Sequence, residues 1–285
     1  MPLTPILRRT FAIFRDRPLL FTLFPLLLLL AFAFLPQSPD AYGYSTIATT
    51  AASIGVLLLV CVGEPLSYAV IVALTLEAEE GSSISFAHAW QRVCRRPGVV
   101  RTTLMIEFLF AGFIFVLALA ALVIGGVLGT LPIPALHPSS PWYPVWSWIG
   151  SAVALSVFAR AMIPSALAIP LVLMGHSEKA VPALDESWRL ARGIFWSLAA
   201  IVALPVLQSY ILPYLGGLVH FPASMTTAAG WTGKIFLQIV DAVCSVLSYI
   251  AITLIAVDRN AASQQQETLP AITTEPHSSA QVVIL

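Results

Sequence analysis

Six stretches of this chain are close to or above ~20 residues in length and almost free of charge, and nothing else in the sequence limits the fold as strongly. The first is "PLLFTLFPLLLLLAFAFL", residues 18–35. As a helix it would be about 27 Å long, enough to cross the hydrocarbon core of a bilayer. The others run over about 45–76, 102–129, 147–174, 194–218 and 235–257. Soluble domains carry about 25% charged residues, whereas this chain has 10%, with 58% hydrophobic. The expected architecture is therefore all-α: a polytopic membrane protein of about six transmembrane helices, forming one domain over residues 1–258. The polar remainder, 259–285, is low in aromatics and reads as a disordered tail.

The cationic residues orient these spans. Arg8, Arg9, Arg15 and Arg17 precede the first; Arg92, Arg95, Arg96 and Arg101 lie around the connection between second and third. Lys179, Arg189 and Arg192 lie between fourth and fifth, and Arg259 follows the sixth. The connections on the other side, 36–44, 130–146 and 219–234, hold Lys234 as their one Lys or Arg. The positive-inside rule then puts both termini in the cytoplasm, in the inner membrane. Trp142, Tyr143, Trp146 and Trp148 fit an aromatic belt at the outer interface. "RRTF" at 8–11 is similar to a twin-arginine export signal, but the apolar run behind it is long and Leu-rich, so it is expected to be retained as a span.

Before three of the spans the same pattern recurs: "LRRTFAIFRDRP" (7–18), "FAHAWQRVCRRP" (86–97) and "LDESWRLARGIF" (184–195). Each opens on an apolar residue, has an aromatic at i+4 and an apolar position at i+7: Leu7, Phe11 and Phe14; Phe86, Trp90 and Val93; Leu184, Trp188 and Ala191. That spacing predicts an amphipathic helix. Each segment ends in Arg followed by Pro or Gly. The chain parses as three units, each a short helix lying on the cytoplasmic interface and then a two-span hairpin. Arginines such as Arg189 and Arg192 would face anionic headgroups, and Asp185 would pair with Arg189 at i,i+4.

The third copy, within "GHSEKAVPALDESWRLARGIFW" (175–196), carries a G…AL..SW.L.RG..W signature. In this it resembles the glycerophosphoryl diester phosphodiesterase membrane-domain family and related prokaryotic membrane families. The resemblance spans residues 1–258 and implies a membrane module without catalysis of its own. In fused members a separate soluble phosphodiesterase domain follows, and here only a short tail does, so no activity is carried over. The segment reads as an interfacial helix that orients the next span, or as a ligand or partner site.

Ionisable groups at membrane depth are functional candidates in their own right. They are Glu64, Arg160, Glu107 and Asp241. Glu64 and Arg160 share a depth and have opposite signs, so they are expected to pair, with Asp241 within reach of Arg160 if its span is adjacent. Pro65, Pro164 and Pro170 break the helices nearby and free carbonyls. Broken helices in internal repeats point to a transporter site at the midplane; the plainer reading is a buried ion pair with packing kinks. Gly125 and Gly129 form a GxxxG pair suited to close helix packing or a dimer face.

Other function classes find little support. Net charge is +0, so no basic surface calls for nucleic acid. The 3 cysteines form no CxxC pair and the 5 histidines are scattered, so no metal site is expected. No GxSxG or phosphate-binding loop occurs, and neither an enzyme nor a cofactor is expected. The expected partners are membrane lipids with anionic headgroups, a second copy of the chain or another membrane protein. The function expected is a membrane scaffold or lipid-engaging module; the alternative is a small-molecule or lipid transporter at Glu64 and Arg160.

Overall fold

The computed structural model of the chain describes residues 3–33, 63–130, 153, 156, 157, 159, 160, 162–204 and 228–268. Among these residues all regular structure is helical. Helix α1 is Leu3–Asp16, α2 Pro18–Ala33, α3 Glu64–Glu79, α4 Phe86–Cys94 and α5 Pro97–Thr130. A 3-10 turn, Ile163–Leu167, leads into α6, Ala168–Met174. Then come α7, Ala180–Ala191, α8, Phe195–Leu204, and α9, Ala228–Thr268. Helix covers most of the described part of each segment expected to be a span. Among the described residues α9, over Ile235–Gln265, is long and apolar enough to cross a membrane; α7 and α8 pass together only as a span bent by 109°. The expected outer aromatic belt lies outside the described residues.

Local chemistry sets the helix ends. Pro18 and Pro97 are the first residues of α2 and α5, where a missing N–H costs nothing and the fixed φ already suits a helix. An Arg-Pro step thus closes one helix and opens the next. Helix α6 ends at Gly175 (φ 91°), whose N–H donates to Val172 O at 3.0 Å while His176 N–H donates to Leu171 O at 3.1 Å. Only glycine takes that left-handed position without strain. The space a side chain would need is also filled: a Cβ there would lie 2.9 Å from Arg96 Nη1. Arg96 in turn donates to Val172 O at 2.8 Å.

The core centres on α3, which packs against α2, α4, α6 and α9. It is buried from Ser67 through Leu76, as is α6 from Ala168 to Leu173 and α9 from Ile250 to Ala256. Such all-round burial removes amphipathicity, as the sequence of α3 shows. Of its buried hydroxyls, Thr75 donates to Ile71 O at 2.8 Å, whereas Ser67 Oγ finds no hydrogen-bond partner among the described residues. Of the expected proline breaks, Pro164 falls in the 3-10 turn, whereas Pro170 lies within α6 and Pro65 in the first turn of α3. Pro170 has no N–H to offer the carbonyl of Ala166 four residues back, and the Tyr68 hydroxyl donates to that carbonyl instead. The Tyr68 ring rests on Tyr249 of α9, centroids 4.4 Å apart.

Two expectations are corrected. The tail was expected to be disordered from residue 259, but α9 continues to Thr268. Low hydrophobicity does not end a helix when the core part of it is already nucleated and its extension finds partners, here Arg189 of α7 on Ser263 at 3.3 Å. The three short helices were expected to bury their i, i+4, i+7 stripes in lipid. Instead each buries a line of small or aliphatic residues against the protein. The residue just before each aromatic is sealed, with Thr10 1%, Ala89 0% and Ser187 0% exposed, while Phe11, Trp90 and Trp188 are 56%, 37% and 45% exposed. Leu184, Val93 and Ala191 lie in the core. An apolar face fits protein as well as lipid, so periodicity alone does not choose between them. The sealed hydroxyls are satisfied, Thr10 donating to Ile6 O at 2.9 Å and Ser187 to Leu184 O at 2.7 Å.

Candidate functional site

Helix α7 doubles back along the segment before it, packing on α6 and the 3-10 turn. Its end therefore returns to the neighbourhood of Arg160. Arg192 closes α7 in an extended conformation (φ −60°, ψ 129°), and Gly193 follows at φ +81°. The left-handed glycine turns the chain through the 109° between α7 and α8. Behind it lies Arg259 of α9, with Nη2 4.0 Å from where a Cβ of residue 193 would sit.

The corner encloses an open cleft of about 570 Å³. Arg160 and Arg192 line it, with Trp188, Phe195 and Trp196 as its apolar wall and the first turn of α8 at its edge. Trp196 is the most exposed of these rings at 82%, and Phe195 meets it edge-on at 5.3 Å. No carboxylate is among the described residues that line it. Two guanidiniums beside aromatic faces have the chemistry to hold an anion that also has an apolar part.

The site brings together residues from two separate sequence expectations. Arg160 was expected at mid-span opposite Glu64; it is exposed and lines the cleft with Trp188 and Arg192. The Glu64 side chain lies outside what the structure describes, so the expected pair does too. Arg189, expected beside Arg192, points elsewhere: it forks onto Glu186 at 2.7 and 2.8 Å. The intrahelical pair seen is thus i,i+3, where the sequence suggested Asp185 at i,i+4. Asp241 is half-buried on α9. Phe11 stands exposed on α1, and Trp90 stacks on Phe86 at 6.2 Å beside Phe24 of α2.

Glu107 lines a second cleft, of about 510 Å³, with Tyr68, Tyr249, Ser165 and Met162. Its walls come from α3, α5, α9, the stretch around the 3-10 turn, and Val202 of α8.

Sequence reasoning missed the arginine ties. Arg9 donates from Nη1 to Asp258 at 2.8 and 3.1 Å and from Nη2 to Glu79, joining α1 to the end of α3 and to the C-terminal half of α9. Asp258 above all raises the Arg9 pKa; burial works against this, and Glu79 adds to the rise. Arg92 forks onto Glu80 at 2.7 and 3.1 Å. The signal available was the "EAEE" run at 77–80, adjacent to the arginine-rich segments. Trp196 and Arg259 were also missed as neighbours of this corner.

No protein-family model matches this chain, and no curated protein or solved structure matches it at a significant level.

Proposed function

We propose that this chain is an integral inner-membrane protein of six spans, with both termini cytoplasmic, that engages anionic lipid headgroups and membrane partners without catalysing a reaction. It is built as three units, each a short cytoplasmic helix followed by a hairpin of two spans. The resemblance of residues 175–196 to the phosphodiesterase membrane-domain family agrees with a membrane module of this kind.

One observation carries the reading. On each short helix a sealed small residue (Thr10, Ala89, Ser187) is followed by an aromatic that faces outward (Phe11, Trp90, Trp188). An outward aromatic beside arginines suits the headgroup level of a bilayer, where an amphipathic ring has both of its preferred surroundings. The lopsided distribution of Lys and Arg and the length of α9 support the same orientation. The test compares the thermal stability of the purified chain in phosphatidylglycerol and phosphatidylcholine nanodiscs. The anionic bilayer should raise the unfolding temperature, and Trp90→Ala with Trp188→Ala should remove most of that gain. Equal stability of the wild type in both lipids would rule the reading out.

A second reading, transport of a small molecule or lipid, draws on the Glu107 cleft, a carboxylate among apolar walls with two tyrosines beside it. Glu107→Gln should then abolish uptake by proteoliposomes while leaving the fold intact; uptake equal to that of the wild type removes this support.

A further inference from the structure

We propose that the corner between α7 and α8 binds the phosphodiester headgroup of one anionic phospholipid, held by Arg160 and Arg192. This rests on the membrane reading above but says more: one lipid, at one place, with named contacts.

Charge complementarity comes first. Arg160 and Arg192 arrive from separate elements into one cleft with no carboxylate among the described residues that line it. A planar guanidinium presents a fork that matches two phosphate oxygens, so two forks can share the non-bridging oxygens of a single diester. Arg9, Arg92 and Arg189 are bound to carboxylates, and Arg17 and Arg96 to backbone carbonyls. Arg160 and Arg192 form no ion pair among the described residues, as is true of Arg8, Arg15, Arg95 and Arg101; what sets these two apart is that they share one cleft with aromatic walls.

Behind the turn stands a third cation. Arg259 approaches Gly193 from α9, and its Nε is buried with no hydrogen-bond partner. Three positive charges around one glycine repel one another until an anion arrives.

Size and wall then choose the source of the phosphate. A cleft of about 570 Å³ is far larger than an inorganic phosphate and falls in the range that takes drug-sized ligands. Trp188, Phe195 and Trp196 offer apolar surface that a free anion has no use for. The glycerol and first methylenes of a lipid would lie against it. In the proposed orientation Arg192 opens the fifth span from the cytoplasmic side, and basic pockets between membrane helices on that side bind such headgroups.

The experiment is native mass spectrometry of the full chain purified in detergent and offered equal amounts of phosphatidylglycerol and phosphatidylcholine. One phosphatidylglycerol should stay bound. Each guanidinium lost should weaken binding about tenfold, the size expected for one charge-assisted bond. Arg160→Gln with Arg192→Gln should therefore release the lipid, whereas Arg189→Gln, outside the cleft, should keep it. Trp196→Ala should weaken the lipid and leave glycerol 3-phosphate unaffected. If the double variant holds phosphatidylglycerol as well as the wild type does, or phosphatidylcholine binds equally, the site is overturned. Displacement of the lipid by an equal concentration of inorganic phosphate would assign the cleft to the free ion and overturn the lipid. Arg160→Lys with Arg192→Lys keeps the charge without the fork and should give intermediate retention, which separates loss of binding from loss of fold. Retention of the double variant in alkali-washed membranes reports on the membrane reading separately. A wild-type chain that washes out overturns that reading, and a retained double variant that lacks the lipid supports the site.

Discussion

The first and third short helices carry the same sequence pattern and each tie one arginine to a carboxylate, but only the third brings a further arginine into a cleft. On α1, Arg9 is spent on Asp258 and Glu79, and the chain goes on into α2 through Arg17 and Pro18. On α7, Arg189 is tied to Glu186, but Arg192 is left beside Arg160 in an open cleft, and Gly193 replaces the proline and turns the chain. The middle copy sides with the first, since Arg92 is held by Glu80. A repeated pattern therefore sets where a helix lies, while its acidic neighbours decide whether its arginines are structural or available.

The largest effect that would break this comparison comes from the face all three copies share. Leu in place of Ala89 or Ser187 would force a large side chain into a sealed contact and should cost about 1–3 kcal/mol in thermal unfolding. Ala in place of Phe11, 56% exposed, should cost clearly less when both are measured in a phosphatidylcholine bilayer. If the two substitutions cost the same, the division between a protein face and an outward face is wrong. Next in size, Gly193→Ala puts a side chain at φ +81° and should cost about 1–2 kcal/mol, with loss of phosphatidylglycerol retention as the corner distorts. The smallest effect belongs to the ties. Arg9→Gln removes a partly exposed triad and should cost only about 1 kcal/mol at low salt, and less as salt screens it. The raised Arg9 pKa gives the sign for alkali. Its contribution is fully present below the ordinary arginine pKa and is lost only as pH rises through the raised one. The wild type should thus keep its advantage over Arg9→Gln across neutral and mildly basic pH.

Part of this was legible in the sequence. The apolar runs announce helices because a continuous apolar stretch of that length has few other solutions. The Arg-Pro steps mark helix starts through the chemistry of proline itself. The corner cleft was not legible, because Arg160 and Arg192 stand far apart in sequence and meet only through the doubling back of α7. Hydrophobic periodicity named the aromatics correctly as helix-face residues, yet missed that their smaller neighbours Thr10, Ala89 and Ser187 make the protein contact. A period of 3.6 identifies a face and is blind to the size of the side chains on it. The carboxylate partners of Arg9 were hidden for the same reason as the cleft: Asp258 lies 249 residues away.

The continuity of α9 has a mechanical consequence. At 41 residues it is about 60 Å long, roughly twice the thickness of a bilayer's hydrocarbon core. Its far end is a mast to which other elements are moored: α1 at Asp258 through Arg9, and α7 at Ser263 through Arg189. Arg259 stands between those two moorings, behind the corner glycine. A rotation of the mast about its own axis would pull on the first and third short helices together and swing the Arg259 charge toward or away from the cleft.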